Sequence, residues 1–338
     1  MRVALKPIGE QVIVITGASS GIGLVTARMA AERGARVVLA ARNERDLAGA
    51  VQAIRDAGGR AVAQVADVAD PEQVEAIANT AVRSFGRIDT WVNNAGVALY
   101  GRSTDITLAD MRRQFDVLYW GGVHGTRTAV AHLRAHGGAI ITVASALADR
   151  AVPLQGSYCA AKHALKAFTD TVRMELEADG APISVTLVKP ASVDTPLFDK
   201  ARTYMDVAPR PIPPVYVPDV VARTILRAAE RPIREISAGG AGAMLPAAAA
   251  VAPALTDRYM VKRFFTKQRG QAPADDRPDN LYAVVPQDGG ARGDRWRRHV
   301  RRSSVYTGAR LHPARAALAS AALGLAVLAG WRTLTRRA

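Results

Sequence analysis

The 338-residue chain is poor in cysteine and in aromatic side chains: it has one cysteine, Cys159, and only 5% Phe, Trp and Tyr. A lone cysteine excludes an internal disulfide and is compatible with a cytoplasmic setting without establishing one. Aromatic residues do not accompany the arginines of the C-terminal part, which argues against a nucleic-acid surface built on base stacking. His124, His132 and His136 have no cysteine or carboxylate cluster at ligand spacing beside them, so no metal is expected. The first apolar run, Val12 to Thr16, is too short for a secretory core and passes straight into a glycine loop, so it reads as a strand and no signal peptide is expected. Acidic residues are also scarce, 30 against 45 Lys plus Arg, for a net charge of +15, but the imbalance is local. From Asp257 onward there are 17 basic and 6 acidic residues, which leaves the first three quarters of the chain close to neutral. The charge is a property of a tail, not of the whole surface.

What is present is a globular composition, 49% hydrophobic and 22% charged, on a chain long enough for one large α/β domain and an appendage. Up to about residue 240, short apolar runs alternate with longer helical patterns. The runs are Val12 to Thr16, Arg36 to Ala41, Ala61 to Ala66, Ile88 to Asn93, Ala139 to Ala144, Ser184 to Val188 and Glu235 to Ala238. Rich in Val and Ile with little polar alternation, they predict a doubly wound, Rossmann-type parallel sheet of about seven strands covered on both faces. Gly34 and Gly58 mark helix ends, and Asp70-Pro71 a helix start. Five prolines between residues 207 and 218 preclude a helix there and predict an extended lid over the carboxyl edge of the sheet. Residues 1–240 are thus expected to form the cofactor-binding domain, and 241–338 a basic, Ala/Arg-rich extension, partly helical and loosely structured, because Pro246 and Pro253 interrupt its first apolar stretch.

After the first strand comes Thr16-Gly17-Ala18-Ser19-Ser20-Gly21-Ile22-Gly23, opening a helical pattern. Gly17 suits the tight turn, Gly21 lets backbone approach a pyrophosphate, and Gly23 lets helix pack on strand, while the helix N-terminus attracts the anion. The second strand ends at Arg42, where an acidic residue would bond a ribose 2′-hydroxyl and a cation would receive a 2′-phosphate; the cation is present and the acid is not, so NADP(H) is favoured over NAD(H). Asp67-Val68 and Asn94-Ala95-Gly96, at the ends of the third and fourth strands, fall at the same carboxyl edge.

Tyr158 and Lys162 stand at i and i+4 of a predicted helix and share one face. An ammonium beside a phenol favours the phenolate and lowers its pKa toward a useful range, so Tyr158 is the candidate acid-base group. Ser145, at the end of the fifth strand, supplies a hydroxyl for the same substrate oxygen.

These residues together resemble the short-chain dehydrogenase/reductase family, classical branch, over roughly residues 9 to 240. The resemblance is carried by Thr16 to Gly23, Asp67, Asn93 to Gly96, Ser145, Tyr158, Lys162, and Pro190 with Val193, Asp194, Thr195 and Pro196. It implies that Lys162 also bonds the nicotinamide ribose, that Val193 and Thr195 contact the nicotinamide amide, and that Leu197 to about Pro218 covers a small carbonyl or alcohol substrate. It further implies a homodimer or tetramer built on the helix from about Leu108 to Arg134 and on the Tyr-bearing helix.

Two positions depart from the family pattern. Leu118 stands where an asparagine usually anchors a water behind the lysine, and leucine neither donates nor accepts a hydrogen bond. Ala191 stands where glycine usually follows the proline. A catalytically weak NADP(H)-binding or scaffold protein is therefore the alternative to an active enzyme. Finally, Ala316 to Trp331 has sixteen residues without a charge, short of the roughly twenty that span a bilayer, but flanked by arginines and ending on Trp331. It is a candidate membrane-associated helix, which would suit a lipophilic substrate.

Overall fold

A computed structural model describes residues 3–274, 278–286, 290–293, 300–314 and 316–318. All seven expected strands are present: β1 Val12–Thr16, β2 Arg36–Ala41, β3 Arg60–Val65, β4 Thr90–Asn93, β5 Gly138–Val143, β6 Ile183–Pro190 and β7 Glu235–Ala238. They form one sheet in the order β3-β2-β1-β4-β5-β6-β7, with every neighbouring pair parallel. The order reverses between β1 and β4, which opens a crevice at their carboxyl ends.

Successive residues of each strand serve opposite faces. Ile13 and Ile15 of β1 pack with the buried stripes of α1 (Gly21–Glu32), α2 (Glu44–Asp56) and α7 (Pro218–Glu230). Val12 and Val14 face the other layer, made by α3 (Pro71–Phe85), α5 (Gly121–Leu133) and α6 (Gly156–Ala178). Each fully buried Val, Leu or Ile contributes roughly 1.5–3 kcal/mol of apolar burial, which explains why strands covered on both sides read as continuous apolar runs. The edge strand β3 is instead only partly covered: Ala61 is buried, Arg60, Ala63 and Val65 are exposed, and the charge of Arg60 blunts an otherwise open edge. The helix expected from about Leu108 is α4 (Leu108–Phe115), followed by a π-helical turn, Asp116–Trp120, that leads into α5.

The extension is partly helical, as expected. Residues 241–267 form α8 (Ala241–Val251) and α9 (Pro253–Lys267). Pro246 lies inside α8, whose alanines favour helix enough to tolerate it, and Pro253 begins α9, where a missing N–H costs nothing. Residues 278–286 and 290–293 then run as a strap across the carboxyl edge. Leu281 is fully buried in the same cluster as Val68, Val97 and Val117. The proline-rich lid is extended as expected and is laced into its surroundings: 202–203 pairs with 99–100, 207–209 with 269–273, and 215–216 with 300–301. No described helix is long and apolar enough to cross a membrane, and residues 319–331 of the candidate membrane segment lie outside the described residues.

One buried carboxylate ties these parts together. Asp110 of α4 accepts from Arg202 Nη1 of the lid at 2.9 Å, from Tyr204 Oη of the lid at 2.8 Å and from Tyr282 Oη of the strap at 3.0 Å. Burial alone would raise its pKa, but these donors outweigh burial and hold the carboxyl below the usual carboxylate range. A depressed folded-state pKa stabilises the fold above the unfolded value near ~3.9 and ceases to do so as pH falls through the folded value. Asp110→Asn is therefore expected to destabilise the protein by about 1.5–3 kcal/mol at pH 7, with the difference from the parent shrinking as the pH is lowered below ~4. Thermal or urea unfolding at both pH values checks this.

Candidate active site

The crevice begins with a clamp between the ends of β1 and β4. Thr16 Oγ1 accepts from the backbone N–H groups of Asn94 (3.0 Å) and Ala95 (3.1 Å), and Asn94 Nδ2 donates to the carbonyls of Thr16 (2.9 Å) and Gly17 (3.2 Å). Gly17 sits at φ +66°, and a side chain there would meet Ala95 Cα at 2.7 Å; one at Gly23 would overlap the Gly17 carbonyl. These two glycines are fixed by lack of space, and with Gly21 at φ +55° they bring the N-terminus of α1 to the crevice. The neighbouring Asn93 is structural: it accepts from Trp91 Nε1 at 2.8 Å and donates to Thr126 Oγ1 at 3.0 Å.

The cleft is lined by Gly17, Ser19, Ser20, Gly21 and Ile22 of the loop, by Arg42, by Asp67 and Val68, by Asn94, Ala95 and Gly96, and by Tyr158, Lys162 and Thr195. Gly23 packs beneath it, while Pro190 and Val193 line the adjoining cavity described below. Two things here were not legible beforehand. First, the strap forms an outer wall: Gly21 N–H donates to the Gly290 carbonyl at 2.9 Å, Arg42 donates to the carbonyls of Asn280 and Tyr282 (Nη1 to the latter at 3.0 Å), and Asn43 Nδ2 donates to the Val285 carbonyl at 3.0 Å. Second, Lys200 of the lid enters the same cleft beside Ser20. No local pattern marks either, because their partners lie far away in sequence. The glycines without room for a side chain, the helix N-terminus and the cationic end of the cleft fit a phosphorylated dinucleotide.

Tyr158 and Lys162 lie on the first turns of α6. Ser145 directly follows β5; its Oγ accepts from Leu147 N–H at 3.0 Å and is hydrogen-bonded to the Tyr158 hydroxyl. Lys162 Nζ donates to the Val143 carbonyl at 2.9 Å and lies 5.9 Å from the centre of the Tyr158 ring. In this structure burial dominates the expected ammonium effect. It pushes the phenol up to about 12, with the Ser145 hydrogen bond opposing, and brings Lys162 down to about 8. Burial also pushes the Cys159 thiol up to about 11, so this cysteine is not an activated nucleophile.

Leu118 is buried within the π-helical turn, with its side chain against Gly96. With Thr16, Asn93 and Lys162 it borders a space of only about 10 Å³. That is near the lower limit, roughly 10–15 Å³, for a single water. Leucine thus offers the ammonium no hydrogen-bonding side chain on that side. Among the described residues, no group of three or more His, Cys, Asp or Glu is arranged to hold a metal.

A second cavity, about 770 Å³, adjoins the first. Ser145, Tyr158 and Gln155 form its polar end; Val193, Leu197, Phe198, Ile212 and Pro213 form one wall. Met244, Leu245 and Ala248 of α8, with Leu255, Tyr259 and Phe264 of α9, form the other. Its volume lies within the range of small-molecule sites, and its lining is predominantly apolar.

A doubly wound sheet, a glycine loop at its switch point and a Ser-Tyr-Lys group at the mouth of an apolar cavity define a nicotinamide-dependent oxidoreductase. The chain belongs to the short-chain dehydrogenase family, whose model matches residues 11–206. It is 46% identical over 282 residues to an uncharacterised oxidoreductase, YxnA, of Bacillus subtilis, covering 82% of this chain and 79% of that protein. It is 35% identical over 245 residues to 11-beta-hydroxysteroid dehydrogenase A of Sesamum indicum, covering 69% of each. Among solved structures, an alcohol dehydrogenase of Thermococcus sibiricus complexed with 5-hydroxy-NADP shares the fold, with TM-score 0.59, 24% identity, and coverage of 67% of this chain and 95% of that one. A variant of the actinorhodin polyketide ketoreductase with NADPH superposes with TM-score 0.53 at 30% identity, covering 57% of this chain and 74% of that one.

Leu118→Asn places a hydrogen-bonding side chain in the small space that Leu118 shares with the buried Lys162 ammonium. The expected result is a higher Lys162 pKa, seen as an alkaline limb of the pH–rate profile displaced to higher pH than in the parent enzyme. An unmoved limb would show that Leu118 does not set the ammonium's environment.

Proposed function

We propose that the protein interconverts an alcohol and a ketone or aldehyde on a small lipophilic substrate, with NADP(H) as cofactor. The observation that carries this reading is that Tyr158 lines both the cofactor cleft and the apolar cavity, so one hydroxyl faces both sites. Arg42 and the absence of an acid at the end of β2 support NADP(H). The solved relative that contains NADPH and the sesame hydroxysteroid dehydrogenase agree with a phosphorylated cofactor and an apolar substrate respectively.

The cofactor, when bound, supplies or accepts the hydride. Tyr158 acts on the substrate oxygen, giving a proton to the carbonyl during reduction or taking one from the alcohol during oxidation. Ser145 holds the same oxygen, and Lys162 adds positive charge beneath the phenol. A phenol pushed up to about 12 is protonated at neutral pH and ready to act as an acid, which favours reduction there. Because the Lys162 ammonium titrates near 8, its charge is present below that pH and is lost above it, so carbonyl reduction should decline from about pH 8 upward.

Exposed Leu108 and Trp120, on α4 and the π-helical turn, and Met174 on α6 lie on the two helices that the family resemblance assigns to subunit contacts, which supports a homodimer or tetramer. Leu118, which gives Lys162 no hydrogen-bonding neighbour on that side, favours a second reading, an NADP(H)-binding protein without turnover. Screening carbonyl compounds for NADPH oxidation separates the two. We expect turnover, with Tyr158→Phe lowering kcat by roughly 10²–10⁴-fold while NADPH binding persists. Binding without turnover would support the second reading, and activity unaffected by Tyr158→Phe would overturn the mechanism.

A further inference from the structure

We infer that Lys200 is, with Arg42, a specificity-determining cation for the 2′-phosphate of the cofactor, delivered from the lid rather than from the nucleotide-binding half of the sheet. This deepens the reading of the cleft as an NADP(H) site and rests on it.

Lys200 lies ten residues after β6, on the segment that leads into the lid. Its backbone is held at both ends: its N–H donates to the Pro196 carbonyl at 3.1 Å, and its carbonyl accepts from Asn280 N–H of the strap, also at 3.1 Å. The side chain is only 8% exposed and runs inward, where Nζ donates to Ser20 Oγ, the last residue of the glycine loop, at 3.1 Å. It lines the cleft together with Ser20, Arg42 and Asn43, at the end of β2 where the adenosine ribose of a dinucleotide belongs.

Lysines are seldom this buried without a reason. Burial lowers the Lys200 pKa to about 8, and the positive charge of Arg42 presses in the same direction, while Asp46 and Asp199 oppose it. Arg42 is likewise held below its ordinary value, chiefly by burial. Two cations from positions 158 residues apart therefore line one partly desolvated cleft, where Asp67, 4.0 Å from Arg42, and Asp46 and Asp199 near Lys200 balance part of their charge. A phosphate dianion between these two side chains offsets their desolvation through charge-assisted hydrogen bonds; a bare ribose hydroxyl does not. The strap sets the geometry of both groups, since Asn280 and Tyr282 accept from Arg42 while Asn280 N–H holds the Lys200 backbone. Cofactor choice is thereby linked to the seating of the lid and strap.

The test is fluorescence titration of the full-length protein with NADPH and with NADH, for the parent, Lys200→Met, Lys200→Arg and Arg42→Met. The parent is expected to prefer NADPH. Lys200→Met should weaken NADPH by about 10–100-fold, the worth of one hydrogen bond to a charged group, and leave NADH unchanged. Lys200→Arg should recover most of the loss. Adenosine 2′,5′-bisphosphate, used as a competitor, should weaken in parallel with NADPH while 5′-AMP does not, which localises the effect to the 2′-phosphate. Equal losses for NADPH and NADH would overturn the assignment by making Lys200 a general support of the cleft. A parent that prefers NADPH and a Lys200→Met variant that keeps that preference would overturn the role of Lys200 alone. A parent that binds both cofactors equally would overturn the NADP(H) reading and this inference with it.

Discussion

The clamp between Thr16 and Asn94 is the interaction on which the rest of the site depends. Strands β1 and β4 diverge into opposite halves of the sheet beyond their carboxyl ends, and four hydrogen bonds hold those ends together where the crevice opens. With them fixed, Gly17 has no room for a side chain, α1 starts at a defined height, and its N-terminus faces the crevice. The same edge receives Ser145 from β5 and, through α6, Tyr158 and Lys162. A loose clamp would misplace the phosphate seat and the proton-transfer group together, because both are measured from the ends of these strands.

Onto this common platform the chain adds an extension that closes the edge on both sides. The strap covers the cofactor cleft, and α8 and α9 wall the substrate cavity. Closure has an electrostatic consequence. Buried beneath this edge, the phenol of Tyr158 and the ammonium of Lys162 are both driven toward their uncharged forms, the phenol to about 12 and the ammonium to about 8. Leu118, buried and without a hydrogen-bonding group, acts in the same direction. The site is thus biased toward donating a proton at neutral pH, which is the direction the proposed carbonyl reduction requires.

The sheet was legible because its signals are local: apolar runs of strand length, glycines at turns, and an i, i+4 pair of Tyr and Lys. Strand boundaries shifted by a residue or two, as for Ile88, which lies before β4. The extension was read as partly helical, but its helices were not placed because prolines were weighed as helix breakers, whereas Pro253 sits at a helix start and Pro246 is carried by the alanines around it. The strap and Lys200 left no trace in sequence periodicity. Gly21 meets Gly290, and Arg42 meets Tyr282, contacts set by tertiary folding over more than two hundred residues. Arg42 was recognised as a cation at a strand end, but its strap carbonyls and its lysine neighbour were not.

The central claim is that this site moves a hydride between NADP(H) and a carbonyl carbon while Tyr158 supplies the proton. It is tested most directly by incubating the protein with NADPH deuterated at the transferring position of nicotinamide C4 and a lipophilic ketone, then analysing the product by mass spectrometry. The account predicts an alcohol carrying one deuterium on its carbinol carbon in the parent reaction, formed roughly 10²–10⁴-fold more slowly with Tyr158→Phe. A protein that binds the labelled NADPH yet returns every ketone unlabelled and unreduced would contradict it.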